Sequence, residues 1–198
     1  MHDLDAAAAV LARAFHDDPY IGWVEPDPVR RARISPTIFR CVLEHGIRRG
    51  RVLVEKGQGS AHWFSPERVE LRAIDDLQCG YVRLFLSHPM VTRRLLAHEA
   101  QAGARVHPFL KPGVAYLHTI GIEPSLKGQG MGSRLLRSAL EQIGTGFDRC
   151  VLRTEQPRNV AFYLKNGFKT VDESITPASG LRVWVFENEL RGGSGAGD

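Results

Sequence analysis

One stretch, residues 116–133, constrains this chain more than any other. Tyr116 to Ile122 reads as a buried strand, Glu123-Pro124 as a turn, and Gly128, Gly130 and Gly132 alternate where a helix begins. The helix rests on Leu135, Leu136, Ala139, Leu140 and Ile143, which share one face of a 3.6-residue period, with Gly144 and Gly146 closing it. Bare backbone N–H groups at a helix start attract an anion, and the helix dipole adds to the pull. The stretch therefore reads as a cradle for a pyrophosphate. A glycine-rich turn with no ligand is the plainer alternative, but alternating glycines weaken a fold unless something needs the bare backbone.

Spacing narrows the choice of cradle. A P-loop requires G-x-x-x-x-G-K-[ST], which is absent from the sequence. A dinucleotide fingerprint requires G-x-G-x-x-G directly after a strand; here Ser133 stands where the last glycine belongs, and five residues separate Ile122 from Gly128.

Lys127-Gly128-Gln129-Gly130-Met131-Gly132 resembles motif A of the GNAT superfamily of N-acetyltransferases, [QR]-x-x-G-x-[GA], with Lys in place of the first Arg or Gln. Lysine keeps the charge but not the planar, multi-donor geometry. Downstream, Asn159-Val160-Ala161-Phe162-Tyr163-Leu164-Lys165-Asn166-Gly167-Phe168 resembles motif B of the same superfamily. Weaker matches in the front half resemble the puromycin N-acetyltransferase-like subgroup: Ala14-Phe15-His16-Asp17-Asp18-Pro19, Glu25-Pro26-Asp27, Trp63 with Ser65-Pro66-Glu67, His107-Pro108 and Pro157-Arg158-Asn159.

The resemblance implies a mixed α/β fold: a twisted, mostly antiparallel sheet of about six strands, a splayed central pair, and helices on both faces. It implies an acetyl-CoA-dependent transfer of an acetyl group to a primary amine of a small molecule by direct attack. A non-catalytic acyl-CoA-binding module, or an enzyme acting on a protein or peptide amine, are the alternatives. Backbone groups at Ile120, Gly121 and Ile122 are expected to hold the pantetheine arm and the carbonyl, and the bare Gly121 to permit close approach. The diphosphate is expected on residues 128–133, including Gln129, Met131 and Ser133, with charge from Lys127 and Arg134, and Asn159 beside the cofactor. Tyr163 aligns with the acid that protonates the departing thiolate.

The base is less constrained. His118, two residues from Ile120, is expected to share a face with Tyr116, Ile120 and Ile122, and an unperturbed imidazole titrates near pH 6.5. A hydrogen-bonded core histidine explains it nearly as well, and Glu155 could instead hold or deprotonate the amine. Phe15, Asp18, Tyr20, Trp23 and Trp63 are candidate walls of the acceptor pocket, although aromatics are more often core. Nothing in the sequence gives His62 or His107 a part.

Composition fits this reading. The chain of 198 residues is expected to form one domain, an acceptor half at 1–113 and a cofactor half at 114–190, with a disordered tail at 191–198. Cys41, Cys79 and Cys150 lack metal-ligand spacing, so no metal is expected and a reducing, cytoplasmic setting fits. A net charge of +4 raises nucleic acid as a partner, but the basic pairs Arg30-Arg31, Arg48-Arg49 and Arg93-Arg94 are dispersed among acids, and no nucleic acid is expected. No apolar run approaches the roughly 20 residues of a membrane span, so no membrane association is expected. A monomer or homodimer is the expected state.

Local patterns place helices at 3–15, capped by Asp3, at 29–48 and at 76–103 with a break at Pro89; a hairpin over 52–64; a strand at 150–153; a helix at 158–165; and two closing strands joined at 176–180. Family members usually open with a strand, whereas this chain enters a helical pattern at residue 3.

Overall fold

The computed structural model describes residues 2–69 and 79–190, with side chains from residue 4 onward. The expected tail, the first residues of the helical stretch at 76–103 and the side chain of Asp3 lie outside the described residues.

The chain opens with three helices, α1 (His2–Ala14), α2 (Pro19–Val24) and α3 (Pro28–Arg49), before a hairpin of β1 (Arg51–Glu55) and β2 (Gly59–Phe64). Two further helices, α4 (Tyr81–Ser87) and α5 (Pro89–Val106), precede the central strand β3 (Val114–Ile122). Then come α6 (Met131–Ile143), β4 (Arg149–Thr154), α7 (Pro157–Lys165), β5 (Lys169–Ile175) and β6 (Arg182–Glu189). Among the described residues no strand precedes α1.

Helix starts follow from local chemistry. Asp18 and Asp27 each sit in extended conformation with a proline after them, and their carboxylates accept the N–H of Tyr20 and of Arg30. Asp18-Pro19, just beyond α1, thus starts α2, a helix that hydrophobic periodicity over six residues could not reveal. His88 leaves the helical backbone ahead of Pro89, where a proline disfavours it, and this separates α4 from α5.

The six strands form one sheet in the order β1-β2-β3-β4-β6-β5. Only β3 and β4 run parallel; the other neighbours are antiparallel. The parallel ladder covers Val114↔Arg149 to Leu117↔Leu152 and stops there, while β3 continues to Ile122 against β2. The sheet therefore opens beyond Leu117, and the β4-facing backbone of residues 118–122 is left without a partner strand.

Helices cover both faces. On one, Leu136, Ala139 and Ile143 of α6, Tyr163 of α7 and Phe168 just before β5 pack against Ala61, Trp63, Leu117, Leu152 and Phe186. On the other, Ala102 and Val106 of α5 meet Phe64, Val114, Tyr116, Val151 and Val185, and α1 packs on α3 through Ala8, Leu11, Phe39 and Leu43. Truncating a core leucine such as Leu136, 1% exposed, to alanine would cost about 2–5 kcal/mol. Trp63 belongs to this core and is not among the residues lining the cavity described below.

Candidate active site

The opening between β3 and β4 leads into a cavity of 480 Å³. Its walls come from α1–α2 (Phe15, Asp18, Tyr20), α3 (Ile38, Phe39), α5 (Leu95, Glu99), β3 (Tyr116 to Ile120), the end of β4 (Arg153 to Glu155) and α7 (Asn159, Tyr163). Three of the candidate pocket residues, Phe15, Asp18 and Tyr20, do line it; Trp23 instead packs beside His98 under Arg94.

A one-residue bulge shapes the inner wall. Trp63 faces Leu117 while His62 faces Thr119, so His118 is the extra residue on β3. A bulge reverses the alternation beyond it. Ile120 therefore packs with Leu117 on the α6–α7 face, and Ile122 approaches Gly132 of α6. His118 stays with Tyr116, the rings in edge contact at 5.5 Å. The expectation that His118 shares a face with Ile120 and Ile122 is corrected accordingly; strict alternation cannot anticipate an inserted residue.

His118 is half-buried and tied at one nitrogen. Its Nδ1 lies 2.9 Å from Nε2 of His62 and 3.0 Å from Oγ1 of Thr119. Burial, with help from Arg153 and His45, pushes its pKa down to about 3. His62 is fully buried and pushed well below the ordinary histidine range, again chiefly by burial. Its Nδ1 has no hydrogen-bond partner among the described residues. An orphaned buried N–H costs more than an orphaned lone pair, so His62 carries its proton on Nε2 and donates it to His118. In that arrangement the proton of a neutral His118 is on Nε2. No sequence pattern pointed to His62; its partner lies 56 residues away.

Carboxylates gather on the opposite wall. Glu155 is 9% exposed, and its Oε1 contacts Nε2 of His98 at 3.1 Å and Nε of Arg153 at 3.3 Å. Arg153 also binds Glu99 at 2.6 Å. Burial works against the Arg153 charge, but Glu99, Tyr116 and Glu155 outweigh it and hold the pKa above its ordinary value. His98 is enclosed, stacked on Tyr20 and bonded through Nδ1 to Ser179 at 3.0 Å. Asp18, 8% exposed, is pushed up to about 6 by burial and by Glu155, against the N–H groups of Tyr20 and Ile21 and the charge of Arg158. Tyr163 lines the cavity from α7, and burial, then Cys150, Asp18 and Glu155, raise its pKa well above the phenol range. It is thus a protonated hydroxyl at neutral pH.

The glycine-rich loop divides by function. Gly128 and Gly130 have positive φ (80° and 77°), and a Cβ on either would meet no atom within 4 Å. Open space over two left-handed backbone positions fits an anion seated on the N–H groups that start α6. Lys127, Gln129 and Arg134 are exposed beside it, while Met131 is buried beneath and Ser133 half-buried. Gly132 is different: a Cβ there would make ordinary contact with Phe162 at 3.5 Å. Gly121 is bare for another reason than the one expected. A Cβ on it would come within 2.8 Å of Leu11 and 2.9 Å of Phe15, so its absence admits α1 rather than a ligand. Asn159 donates to Oγ1 of Thr154 at 3.2 Å and ties α7 to β4.

Among the described residues, no group of three or more His, Cys, Asp or Glu could hold a metal ion, and no helix is long and apolar enough to cross a membrane. The three cysteines are buried and form no disulfide among the described residues.

The acetyltransferase (GNAT) domain model matches residues 74–170. Among curated proteins, the N-alpha-acetyltransferase RimI of Mycobacterium tuberculosis is 38% identical over 55 residues, which is 28% of this chain and 35% of that one. The uncharacterized protein ML0378 of Mycobacterium leprae is 32% identical over 77 residues, 38% of this chain and 21% of that one. The matched parts thus span well under half of either relative. Among solved structures, one described as histone acetyltransferase HPA2 and related acetyltransferase, from Corynebacterium glutamicum, superposes with a TM-score of 0.63 at 19% identity, covering 96% of this chain and 92% of that one. A Desulfovibrio desulfuricans protein described as of the GNAT family gives 0.54 at 14% identity, over 96% and 93%. Residues 74–170 thus carry the match to the acetyltransferase (GNAT) domain, and the split sheet and glycine-rich loop lie in a fold shared with these solved structures.

Proposed function

We propose that this protein transfers the acetyl group of acetyl-CoA to the primary amine of a small, largely apolar molecule by direct attack within a ternary complex. The observation that carries the reading is the cavity. Phe15, Ile38, Phe39 and Leu95 give it apolar walls, and Asp18, Glu99 and Glu155 against the single guanidinium of Arg153 leave its lining acidic, as a cationic amine requires. The front-half motifs support the puromycin N-acetyltransferase-like subgroup; the reading takes residues 1–190 as a single domain, acting in the cytoplasm as a monomer or homodimer.

Acetyl-CoA fits the residues present. The N–H groups of residues 128–133 would hold the diphosphate with Lys127 and Arg134, and the unpaired edge at Ile120, Gly121 and Ile122 would hold the arm, with Asn159 alongside. When bound, it supplies an activated acyl group on a sulfur leaving group. The chain's own residues do the rest. Glu155, fixed through Oε1 by Arg153 and His98, holds the ammonium. Tyr163 keeps a proton on its hydroxyl at neutral pH and offers it to the departing sulfur. The Nε2 proton of His118 polarises an oxygen at the inner wall.

A screen of amines, aminonucleosides and peptides for thiol release from acetyl-CoA tests the reading. Release with apolar amines, and intersecting initial-rate lines for the two substrates, is expected. Acetyl-CoA binding without release against any amine would favour a non-catalytic binding module. Release with peptides alone would favour a protein substrate, the activity in the name of the Mycobacterium tuberculosis relative.

A further inference from the structure

We propose that Asp18, at the junction of α1 and α2, is the general base that takes the proton from the acceptor ammonium, with Glu155 as its electrostatic partner. The proposal rests on the amine-acetylating reading above and deepens it.

The geometry comes from two elements distant in sequence. Gln156 at the end of β4 donates its side-chain amide to the carbonyl of Asp17 at 3.4 Å, which ties the α1–α2 corner to the wall bearing Glu155. Asp18 lines the cavity there, together with Glu155 and Tyr163. Its Oδ1 is held by the N–H of Tyr20 at 2.9 Å, fixing the carboxyl as the cap of α2. The groups that face it are Glu155 at the end of β4 and Arg158 and Tyr163 on α7.

The two carboxyls have different surroundings, and that divides their work. Glu155 meets a guanidinium and an imidazole at one oxygen, so a positive charge already balances it. Asp18 has burial and a neighbouring carboxylate pressing a proton onto it, which raises its pKa to about 6. A carboxyl pushed toward neutrality is the better proton acceptor, and an ion-paired one is the better anchor.

The protons balance. An N–H bond of the ammonium breaks and an O–H bond forms on Asp18, freeing the nitrogen lone pair for attack. That proton reaches solvent when the amide leaves. A second nitrogen proton replaces the one that Tyr163 delivers to sulfur.

Asp18→Asn keeps an oxygen for the Tyr20 N–H and so keeps the cap. It should lower kcat/KM at neutral pH by about 10²-fold or more, abolish the acidic limb of the pH profile, and leave acetyl-CoA affinity in titration calorimetry unchanged. Retained turnover, or lost turnover with the acidic limb intact, would overturn the proposal. A readout independent of acceptor is the carboxyl ¹³C shift of Asp18, expected to titrate near pH 6 and to move lower in Glu155→Gln. Titration in the ordinary range near pH 4 would overturn the assignment. Failure of the wild-type enzyme to acetylate any amine would sink the functional reading instead, and the carboxyl titration would still decide the ionisation of Asp18.

Discussion

His62 Nε2 sits 2.9 Å from His118 Nδ1, and this contact decides what His118 can do. A half-buried imidazole with that nitrogen occupied and its pKa pushed down to about 3 is a poor proton acceptor for an ammonium near neutral pH. This contact favours a donor role for His118 over the base role that the sequence suggested.

His118→Gln should therefore lower turnover modestly, by about tenfold, and leave the acidic limb of the kcat/KM profile where it is. Initial rates between pH 5 and 9 check this. Loss of the acidic limb in that variant would return the base role to His118.

The three glycine sites predict three separate outcomes. Gly130→Val places a branched side chain at positive φ over open space, so it should abolish acetyl-CoA binding by calorimetry and add a local strain of about 1–2 kcal/mol. Gly132→Ala should bind acetyl-CoA almost as well as the wild type, since its Cβ makes only ordinary contact with Phe162. Gly121→Ala should leave binding to the loop intact and destabilise the fold by about 1–3 kcal/mol in urea, because its Cβ meets Leu11 and Phe15.

Tyr163→Phe should reduce kcat by roughly 10²–10⁴ with acetyl-CoA affinity nearly unchanged, because proton donation acts on the departing sulfur. The ring packs against Phe168 and Phe186, and phenylalanine preserves those contacts, so thermal stability should hold. Full turnover with chemistry rate-limiting would remove the acid role.

The glycine cradle, the motif-B helix and the closing hairpin were legible because each is written in contiguous residues with a local physical cause. The site itself was legible only in part. Tyr163 and Glu155 could be named from position, but the bulge at His118 depends on the pairing of β3 with β2, which no single strand encodes. The reason for Gly121 lies in α1, more than a hundred residues earlier, and the Arg153–Glu155–His98 cluster joins β4 to α5. Local chemistry marked the glycine-rich loop; tertiary packing alone assembled the cavity.

The central claim is acetyl transfer to a compact apolar amine, and one competition measures it directly. Wild-type protein is incubated with isotope-labelled acetyl-CoA and an equimolar mixture of arylalkylamines, aminonucleosides, free amino acids and short peptides. Label is then traced by mass spectrometry. The account predicts labelled amide on an apolar primary amine at least tenfold ahead of any peptide, with one thiol released per amide formed. Label confined to peptide N-termini, or no labelled amide despite bound acetyl-CoA, would contradict it.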